Sequence, residues 1–128
     1  MKKLQWTLIL AGILLTSGVQ ARDLWAFLSY SSFNSPEGPY LETYLSVAAN
    51  RVQFVKQENG QFKATVNILM TFKQGNEIKA FRKYELNSSE VADTANRNFY
   101  FIDQQRFSLP NGTYEFEIQM ADKFKETA

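Results

Sequence analysis

Carboxylates and tyrosines carry most of the chemical potential of this sequence, because it contains neither histidine nor cysteine. Without histidine there is no Ser-His-Asp or Cys-His arrangement to activate a nucleophile. Without either residue, zinc and copper lose their usual imidazole and thiolate ligands. Calcium needs only oxygens, but Asp93, Asp103 and Asp122 lie far apart and no Asp-x-Asp-x-Asp-Gly run occurs. Two carboxylates flanking a sugar bond would make a glycosidase. Glu115 and Glu117 are the closest such pair, two apart on a strand pattern, and are expected to form a solvated outer face. Asp103 shares the parity of Phe99 and Phe101, so a regular strand would turn it inward. An unpaired buried carboxylate is costly, so a bulge or strand end near Asp103 is expected to re-aim it to solvent. The expectation is a chain with no catalytic residues, no cofactor and no metal; a secreted hydrolase is the last-ranked reading.

The glycines form neither a Walker pattern nor Gly-x-Gly-x-x-Gly, so no phosphate cradle is indicated. Lys79, Arg82 and Lys83, interleaved with Phe81 and Tyr84, are the only basic concentration. They read as a wet strand whose cations discourage edge-to-edge pairing. Tyr40 and Tyr44 share one strand face opposite Leu41, Leu45 and Val47, with Glu42 joining them if the strand is regular. Tyr100 likewise opposes Phe99 and Phe101. Aromatics standing outward can stack on sugars or fill partner pockets, or can pair across strands and be covered by another domain. Tyr40, Tyr44 and Tyr100 are therefore the candidate ligand or partner contacts.

The elements that must position these residues begin after a segment that reads as a leader. Lys2 and Lys3 precede a run from Leu4 to Leu15 that is apolar apart from Gln5 and Thr7. Val19 and Ala21 then stand at the −3 and −1 positions of a signal-peptidase site, so residues 1–21 read as a secretory signal peptide. The apolar run falls short of the roughly 20 residues a membrane helix needs, and the alternative of a retained anchor is disfavoured. Removing Lys2 and Lys3 takes the 14 basic residues to 12 against 13 acidic ones, a net charge of −1. That balance lacks the basic stripe of a nucleic-acid binder. Residues 22–128 then form one domain that must be stabilised by packing alone, and its 11 Phe and 6 Tyr supply the material.

Period-2 alternation dominates that domain. Phe62, Ala64, Val66, Ile68, Met70 and Phe72 fall on one strand face, as do Tyr114, Phe116, Ile118 and Met120. Asn59-Gly60, Gln74 to Glu77 and Leu109 to Gly112 supply the intervening turns. Further strands are expected at Leu24–Phe33, Tyr40–Ala48, Val52–Lys56, Ile78–Leu86 and Phe99–Phe107. The polar, aperiodic stretch Asn87–Asn98 reads as a crossing loop with room for a short helical turn. About seven strands with one crossing loop predict an all-β, Greek-key β-sandwich, with a small barrel as the alternative. The last strand stops near Met120 with too little after it for a partner, so an N-terminal fragment of a longer chain is expected.

Gly38-Pro39-Tyr40-Leu41-Glu42-Thr43-Tyr44-Leu45-Ser46-Val47, with Phe107 to Ile118 containing Leu109-Pro110-Asn111-Gly112-Thr113-Tyr114, resembles one envelope family of Bacteroidota. These secreted proteins carry an immunoglobulin-like N-terminal region and a later Gly-Trp-x-Thr-Asp motif, which this chain lacks. The resemblance covers nearly all of residues 22–128 and implies an immunoglobulin-like sandwich, with no catalytic residue to carry over. It also gives meaning to Asp93-Thr94-Ala95, which matches the short acceptor for protein O-glycosylation in that phylum and makes Thr94 a candidate modification site. The expected function is a non-catalytic interaction or spacer domain, periplasmic, outer-membrane-associated or extracellular. It would contact another protein or a C-terminal domain of a longer chain. The alternative is a carbohydrate-binding module using the three tyrosines.

Overall fold

The computed structural model describes residues 2–9 and 15–21 by their backbone and residues 24–125 in full. Among the described residues ten strands follow in order: β1 (Lys2–Ile9), β2 (Leu15–Ala21), β3 (Leu24–Ser35), β4 (Gly38–Ala48), β5 (Val55–Lys56), β6 (Phe62–Lys63), β7 (Thr65–Gln74), β8 (Glu77–Asn87), β9 (Tyr100–Ser108) and β10 (Thr113–Asp122). They form one sheet ordered β1-β10-β7-β8, a second ordered β2-β3-β4-β9, and the short ribbon β5-β6. Every pairing is antiparallel.

Alternation decides which face each strand buries. On β7 and the residue before it, Ala64, Val66, Ile68, Met70 and Phe72 are all at most 1 % exposed. Tyr114, Phe116, Ile118 and Met120 on β10 are at most 3 % exposed, and Leu41, Leu45 and Val47 on β4 at most 1 %. These inner faces meet in one core shared by both sheets, closed by Leu28, Phe101 and Phe107. Phe72 stacks on Phe116 at 4.7 Å and meets Phe107 of the opposite sheet at 4.8 Å. Two separate sheets face to face make a sandwich, so the barrel alternative falls.

The connections make it a Greek key. The hairpins β3–β4 and β7–β8 each stay within one sheet, while the chain changes sheet after β4, after β8 and after β9. Strand β9 therefore pairs with β4 rather than with its predecessor β8. From β3 onward this is immunoglobulin topology, three strands β3-β4-β9 against three strands β8-β7-β10. A tyrosine corner completes the likeness: the Tyr114 hydroxyl donates back to the Pro110 carbonyl, fixing the crossover from β9 to β10. Burial pushes that hydroxyl's pKa up, which keeps it a donor.

Four expectations need adjustment. The strand expected at Phe62–Phe72 divides at Ala64, whose amide is taken by the Ser88 hydroxyl instead of a ladder partner. Only Val55–Lys56 of the expected Val52–Lys56 strand pairs, because a 3₁₀ turn at Ala49–Arg51 occupies the chain just before it. The crossing loop Asn87–Asn98 contains no helical turn; it is tied down by reciprocal backbone bonds between Val91 and Phe62. Strand β10 runs to Asp122, beyond the expected stop at Met120, because its ladder with β7 continues through Ala121↔Asn67 and Asp122↔Val66; the Asp122 carboxylate then accepts the amides of Gln53 and Phe124.

The two segments at the front of the chain lie in the stretch read as a leader. Here β1 pairs with β10 from Lys2↔Met120 to Ile9↔Thr113, and β2 pairs with β3 from Leu15↔Tyr30 to Ala21↔Leu24. Residues 10–14, at the leader's apolar centre, and the cleavage junction at Arg22 lie outside the described residues.

Replacing Phe72 with Ala is expected to lower unfolding free energy by about 3–5 kcal/mol, since a dense core cannot close over the lost ring. Replacing Ile102, which is 75 % exposed, is expected to change it by less than about 0.5 kcal/mol. Urea denaturation of both variants checks the pair.

Candidate functional site

The feature with most capacity to engage another molecule is the outer face of the β3-β4-β9 layer. Because β4 buries its odd-numbered residues, Tyr40, Glu42 and Tyr44 all face outward. Register aligns the face in rows: Phe33 beside Tyr40, Ser31–Glu42–Arg106, Ser29–Tyr44–Gln104, and Phe27–Ser46–Ile102, with Tyr100 beside Ala48. All three candidate tyrosines thus share one surface. Tyr40 and Tyr100 nevertheless sit eight residues apart in register, about 26 Å along the strand, so they cannot grip one small ligand together.

The centre of this face is polar and organised. Glu42 is only 7 % exposed although it lies on the outer face. The Tyr44 hydroxyl donates to its Oε1 at 2.6 Å, and Arg106 donates to its Oε2 from Nε at 3.1 Å and Nη2 at 2.7 Å. The Tyr44 hydrogen bond, followed by that of Arg106, holds the Glu42 carboxyl below the usual carboxylate range. The same bond raises the Tyr44 hydroxyl's pKa. Arg106 also lies 4.4 Å over the Tyr40 ring, and Tyr40 stacks on Phe33 at 5.1 Å. One carboxylate therefore fixes two aromatic side chains through a single guanidinium and a hydroxyl.

At the other end the face is apolar. Trp25, Phe27, Tyr100 and Ile102 are 37 %, 44 %, 50 % and 75 % exposed. Phe27 and Tyr100 approach to 6.0 Å across β4, which carries only Ser46 and Ala48 between them. Arg51 covers the Trp25 ring at 5.1 Å. Sequence reasoning missed Trp25, Phe27, Phe33, Ile102 and Arg106. On β3 both parities are apolar at Leu24 to Leu28, so alternation alone assigns no wet face there; the contrast appears only once register with β4 is known.

Thr94 sits apart from this face, exposed on the crossing loop, where the Asp93 carboxylate accepts the Ala95 amide at 2.9 Å. It borders a shallow pocket of about 460 Å³ lined also by Asn50, Arg51, Gln53 and Arg97. The Thr94 hydroxyl is thus sterically accessible, as an acceptor must be.

Two carboxylates behave differently from expectation. Asp103 is not turned away by a bulge: β9 keeps continuous register with β4 through it. It remains inward-facing at the sandwich edge because the Tyr84 hydroxyl of β8 donates to its Oδ2 and Gln105 Nε2 to its Oδ1 at 3.0 Å. Arg82 bonds Gln105 Oε1 at 2.7 Å and covers the Phe107 ring at 4.4 Å. Arg82 and Tyr84 are thus a polar seam between facing sheet edges rather than part of a wet basic strand, whereas Lys79 does stand at the surface, paired with Glu77 at 3.1 Å. Glu117 is also no solvated acid: it is 4 % exposed, and Lys73 bonds it at 2.7 Å. Among the described residues no three carboxylates converge on a point where a metal ion would fit. Among them, too, no helix is long and apolar enough to cross a membrane.

No protein-family model matches the chain, and no curated protein matches it.

The titrations have opposite signs. Glu42's depressed pKa contributes stability at neutral pH that is lost as pH falls through its folded value, which lies below that of a free glutamate. Burial, then the Asp103 bond, raises the pKa of Tyr84, so its contribution is present below about pH 10 and lost as pH climbs further. Glu42→Gln is expected to flatten the acid arm and Tyr84→Phe the alkaline arm of a plot of urea midpoint against pH.

Proposed function

We propose that this chain is an exported, non-catalytic interaction module of the bacterial cell envelope, whose contact surface is the outer face of β3, β4 and β9. The observation that carries this reading is the exposed aromatic and apolar row Trp25, Phe27, Tyr100 and Ile102, continuous with the clamped Glu42–Arg106–Tyr44 centre. Such side chains are expensive to leave against water. A surface rich in aromatics and arginine, with its polar groups already oriented, suits protein recognition. The two-lysine, apolar, small-residue pattern of residues 1–21 supports export. The envelope family that the sequence resembles supports the compartment.

A second reading, carbohydrate binding, is favoured by the Phe33–Tyr40 stack, whose outer ring, Phe33, is 39 % exposed near a fixed guanidinium and carboxylate. That combination offers a sugar both an apolar platform and hydrogen-bonding groups.

Simultaneous Ala substitution of Phe27, Tyr40 and Tyr44 separates the two. The expected outcome is a wild-type protein found in an envelope complex larger than one chain on native gels. The triple variant, with an unchanged circular dichroism spectrum, is expected to be at least about ten-fold weaker in that complex. A monomeric wild type retained by polysaccharide gels through the same residues would select the carbohydrate reading. Absence of both behaviours would remove the surface as a functional site.

A further inference from the structure

We infer that the outer edge of β10 is a strand-acceptor site, held by residues 2–9 in the precursor and open to an extended segment of a partner protein once the leader is removed. The inference rests on the leader reading of residues 1–21. In immunoglobulin topology a further strand sits beside the one that follows the tyrosine corner, and here that position is filled by β1. The pairing is continuous over eight residues without a bulge. A strand of this kind is a usable site because its amides and carbonyls pair with any backbone, while alternate side chains select the sequence.

Strand β10 shows what that sequence must be. Its inward residues Tyr114, Phe116 and Ile118 are at most 2 % exposed with β1 in place. In register they stand opposite Leu8, Trp6 and Leu4. The occupant therefore needs large apolar residues at alternate positions. Between them β10 offers Glu115, Glu117 and Gln119, set opposite Thr7, Gln5 and Lys3. Neutral or basic residues are required there, since like charges directly opposed are destabilising. This disfavours a second copy: self-pairing of β10 centred on Phe116 or Glu117 would set glutamate against glutamate. Nor does β10 carry the proline, lysine or bulge that protects open edges.

The test begins with the full chain exported by a bacterial host, recovered from the envelope fraction and weighed intact. A mass beginning at Arg22 is expected; the mass of the whole chain would overturn the leader reading, and that is known before any ligand is added. A fluorescent peptide with the sequence Lys2–Ile9 is then titrated in. Saturable binding is expected, with amide exchange slowed within Thr113–Met120. A peptide with Pro in place of Leu4 is expected to bind at least about ten-fold more weakly, since residue 4 pairs with Ile118, whose backbone groups face away from β7, and proline there lacks the ladder donor. A mature chain that is unfolded alone but folds on adding the peptide meets the same expectation. No binding, equal binding of the proline peptide, protection on β3 instead, or a dimer whose β10 amides are already protected would each overturn the acceptor site.

Discussion

Phe72 is the point on which both sheets close. Its ring lies nearly parallel to that of Phe116 on the neighbouring strand and tilts against Phe107 from the opposite layer. A single fully buried side chain thus links β7, β10 and β9 in a sandwich that has no disulfide between its layers. Dispersion between dense aromatic surfaces does what a covalent bridge does in many exported sandwiches. The crossover that delivers Phe116 to this place is fixed by buried Leu109 and by the hydroxyl of Tyr114.

Around that core the two flanks of the sandwich are closed by different physics. Between β8 and β9 the closure is side chain to side chain, through Tyr84, Asp103, Gln105 and Arg82. On the flank of β3 and β10, closure is by backbone pairing with β2 and β1. The first is a fixed network; among the described residues no buried side-chain nitrogen or oxygen lacks a hydrogen-bond partner. The second is a ladder that another segment of suitable pattern can satisfy. Recognition capacity is therefore distributed between a face, where aromatics are displayed, and an edge, where the main chain is.

Much of this was legible in the sequence. Alternation from Ala64 to Phe72 and from Tyr114 to Met120 specified the buried faces residue by residue, because each strand is wet or polar on its other side. Turn chemistry was equally informative: Gly60 and Gly75 do adopt positive φ. What escaped was everything that depends on which strand lies beside which. Glu42 reads as a solvated acid until β9 brings Arg106 next to it, 64 residues away in sequence. Asp103 reads as an orphan until β8 supplies Tyr84 from the other sheet. Glu117 similarly owes its burial to Lys73 and the pairing of β7 with β10. Local pattern sets a side chain's direction, whereas its charge environment is set by contacts that close long loops.

Thr43 donates its hydroxyl to the sulfur of Met70 at 3.8 Å, deep between the sheets. Met70 and Met120 are the sulfur atoms of the described core, at 0 % and 3 % exposure. In a chain without thiols, oxidants therefore meet no reactive sulfur on that folded surface. Sulfoxide formation at either residue requires the sandwich to open first and would leave a polar group in its centre. Oxidative damage to this molecule then becomes a clock for its breathing: slow while the layers stay shut, self-accelerating once they part.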